Sequence, residues 1–156
     1  MHIERCQRQL QSEGACLLPD FLTPAAVTSL LEEVHHAGIT ESEKNHTVFQ
    51  LPPDPAFPAS HPRNRMVFAR IGFVGRSLLP PSGLLSALYN WEPLRLFLSA
   101  VAGTTLHRST DDEGSVYAIV NGKHHMTTWH FDQSPFSIVL MLQAADMVCV
   151  RVCVCV

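Results

Sequence analysis

The chain is poor in charge: only 16% of its 156 residues are Asp, Glu, Lys or Arg, and 14 acidic against 11 basic residues leave a formal net charge of −3. Without a basic excess there is no footprint for a phosphate backbone, so nucleic-acid binding driven by counterion release is excluded as the expected activity. Long apolar runs are missing too. No stretch approaches the roughly 20 residues needed to cross a bilayer, which predicts no membrane span. The opening Met1-His2-Ile3-Glu4-Arg5 has no apolar segment of the signal-peptide kind. Cysteine is scarce outside Cys149, Cys153 and Cys155, and the total of five is odd. A secreted disulfide framework is therefore not expected. Cys6 and Cys16 read as reduced thiols and the protein as cytoplasmic.

What is present suffices for a fold. An apolar fraction of 46% excludes disorder for most of the sequence, and the length suits one domain. Nine His supply material for metal or proton chemistry, although their number alone decides nothing.

Helix formers over 2–12, closed by Gly14, predict a first helix, and the apolar run 15–21 predicts a buried strand. Thr23-Pro24 offers an N-cap with Pro at the first helical position. Val27, Leu30, Leu31 and Val34 then recur at i, i+3, i+4 and i+7 before Gly38. Residues 40–65, with five prolines, read as a long loop of the lid or substrate-facing kind. A strand follows at 66–74, then helices at 83–89 and 92–102, the last with Pro93 at its start and Gly103 at its end. Strands are expected at 106–109, 115–120, 127–131 and 136–143, separated by polar turns. The order predicts an α+β domain with an antiparallel sheet.

The segment Val148-Cys149-Val150-Arg151-Val152-Cys153-Val154-Cys155-Val156 differs from the rest. Valine and cysteine codons, GTG and TGT, alternate when a GT dinucleotide repeat is read in frame, so the segment is expected to be translated repeat reached by a splice or frame change. Its cysteines would share one strand face, but they lack the C-x-x-C spacing of structural zinc sites.

The candidate chemistry lies in Thr127-Thr128-Trp129-His130-Phe131-Asp132. On a strand, alternate side chains share a face, so His130 and Asp132 would point together with Trp129 and Phe131 packing behind them. An imidazole and a carboxylate on one face are two legs of a 2-His-1-carboxylate iron site. The spacing alone is weak, since a sequence of this composition holds about 0.3 His-x-Asp pairs by chance. The plain alternative is a strand-end His beside a turn-forming Asp.

Leu106-His107-Arg108-Ser109, Asp111-Asp112-Glu113-Gly114, Trp129-His130-Phe131-Asp132 and the strand Phe136-Ser137-Ile138-Val139-Leu140-Met141-Leu142-Gln143, with the opening Gly14-Ala15-Cys16-Leu17-Leu18-Pro19-Asp20-Phe21-Leu22, together resemble the phytanoyl-CoA-dioxygenase-like Fe(II)/2-oxoglutarate oxygenases. The resemblance implies N-terminal helices packed on a partial double-stranded β-helix (a jelly roll, cupin-like) that lacks its later strands, with the oxygenase domain over 1–146 and an aberrant tail over 147–156. It implies Fe(II) held by His130 and Asp132, with 2-oxoglutarate as co-substrate contacted by Tyr117 and Asn121. An aliphatic position on a small molecule or on an amino-acid side group would be hydroxylated while 2-oxoglutarate and O₂ give succinate and CO₂. Asp rather than Gly or Ala at the carboxylate position implies hydroxylation over halogenation, because a halogenase of this type opens that ligand position to halide.

The family's distal His and its 2-oxoglutarate-binding Arg have no matching positions, so the protein is expected to be inactive and marginally stable, or to act as a non-catalytic competitor or binding protein. His124 and His125 are possible substitutes for the distal ligand. Arg70 and Arg76 are possible contacts for an anionic substrate.

Overall fold

Thr23 starts the best-marked helix by accepting the amide N–H of Ala26 on its Oγ1, with Pro24 in the first turn. The computed structural model describes residues 2–111 and 113–144, together with the backbone of 149–155. Among them the helices are α1 (His2–Glu13), α2 (Pro24–Ala37), α3 (Leu84–Asn90) and α4 (Glu92–Ala102). The strands are β1 (Thr40–Thr47), β2 (Met66–Val74), β3 (Val116–Asn121), β4 (Met126–Thr127), β5 (Ser137–Gln143) and β6 (Cys149–Cys155). Gly103 closes α4 in the left-handed region at φ 69°, where a side chain would be strained.

The strands form one antiparallel sheet in the order β1-β2-β3-β6-β5, with β4 pairing β2 beyond the end of β3. The mixed α+β class and the antiparallel sheet are as the sequence predicts. The backbone of the Val/Cys segment lies between β3 and β5 and pairs with both. Its cysteine side chains, and the expected boundary at 146/147, lie outside the described residues.

One sheet face is sealed. Val116, Ala118 and Val120 alternate along β3 and meet Val74 of β2, Leu142 of β5, Leu30 and Val34 of α2, Leu85 of α3 and Leu79. Gly72 permits a close approach on this face, since a Cβ there would stand 2.6 Å from the carbonyl oxygen of Val120. Glu33 of α2 caps α3, accepting the Leu84 N–H at 2.7 Å. Glu92 at the start of α4 binds Arg95 and Arg108, and these guanidiniums, Arg95 foremost, pull its carboxyl down to about 2 from an ordinary 4.5.

Several expectations need correction. Residues 40–47 are a strand rather than part of a loop. The sequence Thr-Glu-Ser-Glu-Lys-Asn-His-Thr hides it because an exposed edge strand has no apolar alternation to show. Residues 15–21 form no strand, and Leu17 is 75% exposed. Among the described residues no strand pairs with that segment, and Asp20 takes a positive φ of 56°. Residues 106–109 are likewise irregular, held by backbone and side-chain bonds to Ser99, Tyr89 and Asn90. Cys6 and Cys16 are joined in a disulfide rather than free: Gly14, at φ 74°, turns the backbone at the end of α1 and brings their Cα atoms to 5.1 Å. The expectation of reduced thiols, and the support it lent to a reducing compartment, falls with it. No helix among the described residues is long and apolar enough to cross a membrane.

Candidate functional site

His130 and Asp132 do come together, though not by strand alternation. β4 stops at Thr127, and residues 128–136 follow as an irregular segment. Its course is fixed by bonds to two other parts of the sheet. Thr128 Oγ1 donates to the carbonyl of Phe68. The Phe131 N–H donates to the Val48 carbonyl at 2.8 Å, Gln50 Nε2 to the Phe131 carbonyl at 3.0 Å, and Gln133 Nε2 to the Gln50 carbonyl at 2.7 Å. Phe131 stacks on Phe49, with ring centroids 5.1 Å apart. Residues 46–50 and 128–133, some 80 apart in sequence, are thus clamped along their backbones.

Within the clamp, His130 Nδ1 lies 2.8 Å from the Thr128 carbonyl oxygen, which can only accept, so Nδ1 carries the proton. In the neutral ring Nε2 is then the lone-pair nitrogen. It faces Asp132 Oδ1 at 3.3 Å, while Asp132 Oδ2 accepts the Ser137 hydroxyl at 2.5 Å. Two lone-pair atoms opposed at this distance repel unless a cation lies between or beside them, either a proton on Nε2 or a metal ion. Two ligand atoms about 2.1 Å from one first-row divalent ion, at 90–110° about it, stand roughly 3.0–3.4 Å apart. The donor set of His130 and Asp132 therefore fits two adjacent positions on such an ion. Among the described residues, no group of three or more His, Cys, Asp or Glu closes to metal-holding distance.

His46, which falls inside the region expected to be a loop, lies beside the motif: its ring meets that of His130 edge-on, centroids 5.7 Å apart. Its Nδ1 donates to the Thr47 carbonyl at 2.8 Å. Only the β1–β2 register and the clamp reveal this neighbour, and neither is visible in local sequence.

The suggested substitutes lie elsewhere. His125 Nε2 is 2.9 Å from both carboxylate oxygens of Glu41, and His124 is exposed. Glu41 is five residues from His46 on β1, which places it on the opposite sheet face. Arg70 is paired with Glu43 at 3.2 Å and Glu41 at 3.8 Å, and Arg76 lies over the Tyr89 ring at 5.3 Å, so neither is arranged around His130. Trp129 does not pack behind the motif as expected: it is 82% exposed, since no strand carries it against the sheet.

Tyr117 and Asn121 share the β3 face turned away from the sealed core, the same sheet face as Val67 and its partner His46. Tyr117 packs against Phe73 at 5.4 Å, and the Oδ1 of Asn121 is buried with no hydrogen-bond partner among the described residues. A separate apolar cleft of about 850 Å³ opens between α1, α4, residues 14–22 and β5, and contains none of His130, Asp132, Tyr117 or Asn121. Size alone would favour it, but the polar chemistry gathers at the clamp.

No curated protein matches this sequence. The family model described as halogenase D matches residues 1–149, and the chain belongs to that family.

Proposed function

We propose that this protein holds the iron-binding front of an Fe(II)/2-oxoglutarate-dependent oxygenase of the phytanoyl-CoA-dioxygenase-like kind, acting on a C–H bond of a small molecule or of an amino-acid side group. The observation that carries this reading is the convergence of His130 Nε2 and Asp132 Oδ1 at 3.3 Å, with Nδ1 committed to a backbone carbonyl. The carbonyl fixes the tautomer and ring orientation that a ligating imidazole needs, and Ser137 holds the carboxylate through its other oxygen. Iron bound there would supply activation of O₂ against 2-oxoglutarate.

The protein's own residues would do the rest. The Asn121 amide, whose Oδ1 is buried with no partner among the described residues, can turn its NH₂ toward a carboxylate of 2-oxoglutarate, and Tyr117 on the same face would border that molecule. Phe131 stacked on Phe49 would screen one side of the iron from water.

The halogenase D family supports a second reading, halogenation. Asp132 tells against it, because its carboxylate takes the position that halide needs.

Anaerobic addition of Fe(II) and 2-oxoglutarate tests the proposal. The reading predicts a metal-to-ligand charge-transfer band in the visible, unchanged by chloride, and succinate on admitting O₂. A band that shifts with chloride would favour halogenation. Neither band nor succinate would remove the oxygenase reading for this protein.

A further inference from the structure

We infer that the apolar cleft between α1, α4, residues 14–22 and β5 binds an apolar molecule carrying one anionic group. The Cys6–Cys16 disulfide holds one wall of that cleft, so affinity depends on the oxidation state of the pair.

The cleft follows from an uncovered helix face. Leu94, Phe97, Leu98 and Val101 recur at i, i+3, i+4 and i+7 along α4, the stripe by which a helix is normally sealed against a core. All four line the cleft, and no residue of α4 is buried. At about 850 Å³ the space falls within the roughly 300–1,000 Å³ of sites that enclose small organic molecules. Its charged lining is Asp20, Arg95 and Arg108. Asp20 is exposed to solvent, whereas the two arginine side chains are only 20% and 33% exposed and share one carboxylate, Glu92. Arg108 donates through Nε to the Tyr89 carbonyl and through Nη2 to the Asn90 carbonyl and Glu92, and its Nη1 has no partner among the described residues. Two half-buried guanidiniums on one carboxylate leave positive charge in excess beside an apolar space, which complements an anionic group on an apolar body.

The wall rests on the disulfide. Residues 15–22 carry no helix or strand. Their far end is anchored where Leu22 packs against the sealed core and Thr23 caps α2. Nearer α1, the Arg5 guanidinium reaches the Leu17 carbonyl at 3.5 Å, the long limit of a hydrogen bond, and Cys16 is joined covalently to Cys6. Both cysteines line the cleft. Cys6 is wholly buried and Cys16 partly exposed, so a dithiol reductant attacks at Cys16 Sγ. A bond forms between the reductant's sulfur and Cys16, the Cys16–Cys6 bond breaks, and Cys6 leaves as a thiolate that takes a proton. The reductant's second thiol then displaces Cys16 as its thiol and closes the reductant's own disulfide, two electrons and two protons having passed to the protein. Reduction thus frees residues 15–21 from α1 and dismantles the wall, and by linkage a ligand in the cleft favours the disulfide by the same factor.

Calorimetric titration of the intact protein with naphthalene-2-sulfonate tests this. The oxidised protein should bind one equivalent, and excess dithiothreitol should weaken binding at least about tenfold while the far-ultraviolet dichroism is kept. Leu17→Glu, at a 75% exposed position on the wall, should weaken binding at least about fivefold, and Leu78→Glu, exposed and away from the cleft, should match wild type. Naphthalene-2-methanol, which lacks the charge, should bind at least about fivefold more weakly than the sulfonate. In dithiothreitol redox buffers the saturating sulfonate should lower the midpoint of the pair by about 30 mV for a tenfold preference. No binding to the oxidised protein, or Leu17→Glu equal to wild type, overturns the site. Equal affinity for the methanol overturns the anionic assignment. An affinity and midpoint unmoved by redox state and ligand overturn the coupling, as does loss of the dichroism on reduction, which would tie the disulfide to the whole fold rather than to this wall.

Discussion

On one face of the sheet Leu30, Val34 and Val74 are wholly buried and Leu85 nearly so. On the other, His130 and Asp132 stand partly in solvent beside a Trp129 that is 82% exposed. The first face is held by removal of apolar area from water, which is non-directional and roughly proportional to the area buried. The second is held by individual backbone and amide hydrogen bonds, each directional and each worth only about 0.5–1.5 kcal/mol net. Stability and chemistry are therefore separable: substitutions on the sealed face should cost fold, and substitutions at the clamp should cost geometry.

Leu30→Ala is the strongest test of the sealed face. It should destabilise by about 2–5 kcal/mol, and a melting temperature that falls by roughly 2–4 °C per kcal/mol in thermal unfolding would show it. A loss under about 1 kcal/mol would mean that α2 is not part of the core. Cys16→Ser comes next. It opens a ten-residue loop and should cost about 2–3 kcal/mol in denaturant unfolding, with the disulfide itself visible as a Cys6–Cys16 linked peptide under non-reducing digestion.

Gln50→Ala should cost no more than about 1.5 kcal/mol, yet it removes one strut of the clamp and should weaken Fe(II) binding more than its stability loss suggests. Equal effects on both would erase the distinction between the two faces. The smallest effect is at Glu92. Its carboxyl is held near 2 in the fold against 4.5 ordinarily, so its contribution is present above pH 4.5 and is lost as pH falls toward 2. Glu92→Gln should flatten the acid limb of stability over that window, less so at high salt because the pair is exposed.

What is legible in the sequence follows the same division. α2, α4 and β2 declare themselves through local signals: the Thr23-Pro24 cap, Pro93 and Gly103, and the apolar run from Met66 to Val74. β1 does not, because an edge strand of Glu, Lys and Ser carries no periodicity. The His-x-Asp motif is legible as a pair, but its convergence comes from an irregular segment rather than a strand, and its neighbour His46 lies far away in sequence and is brought near only by tertiary pairing. Residues 15–21 show the reverse error: apolar content there reflects a wall of the apolar cleft, not a strand.

The proposed iron site requires that His130 and Asp132 share one divalent cation. Anaerobic calorimetric titration of Fe(II) into wild type and Asp132→Ala, with folding of both checked by circular dichroism, tests it most directly. Wild type should bind one Fe(II), and Asp132→Ala should bind at least about tenfold more weakly while keeping its fold, a difference of about 1.4 kcal/mol or more. Equal affinity in the two proteins would contradict the claim and leave the pair as a proton-bridged His–Asp contact.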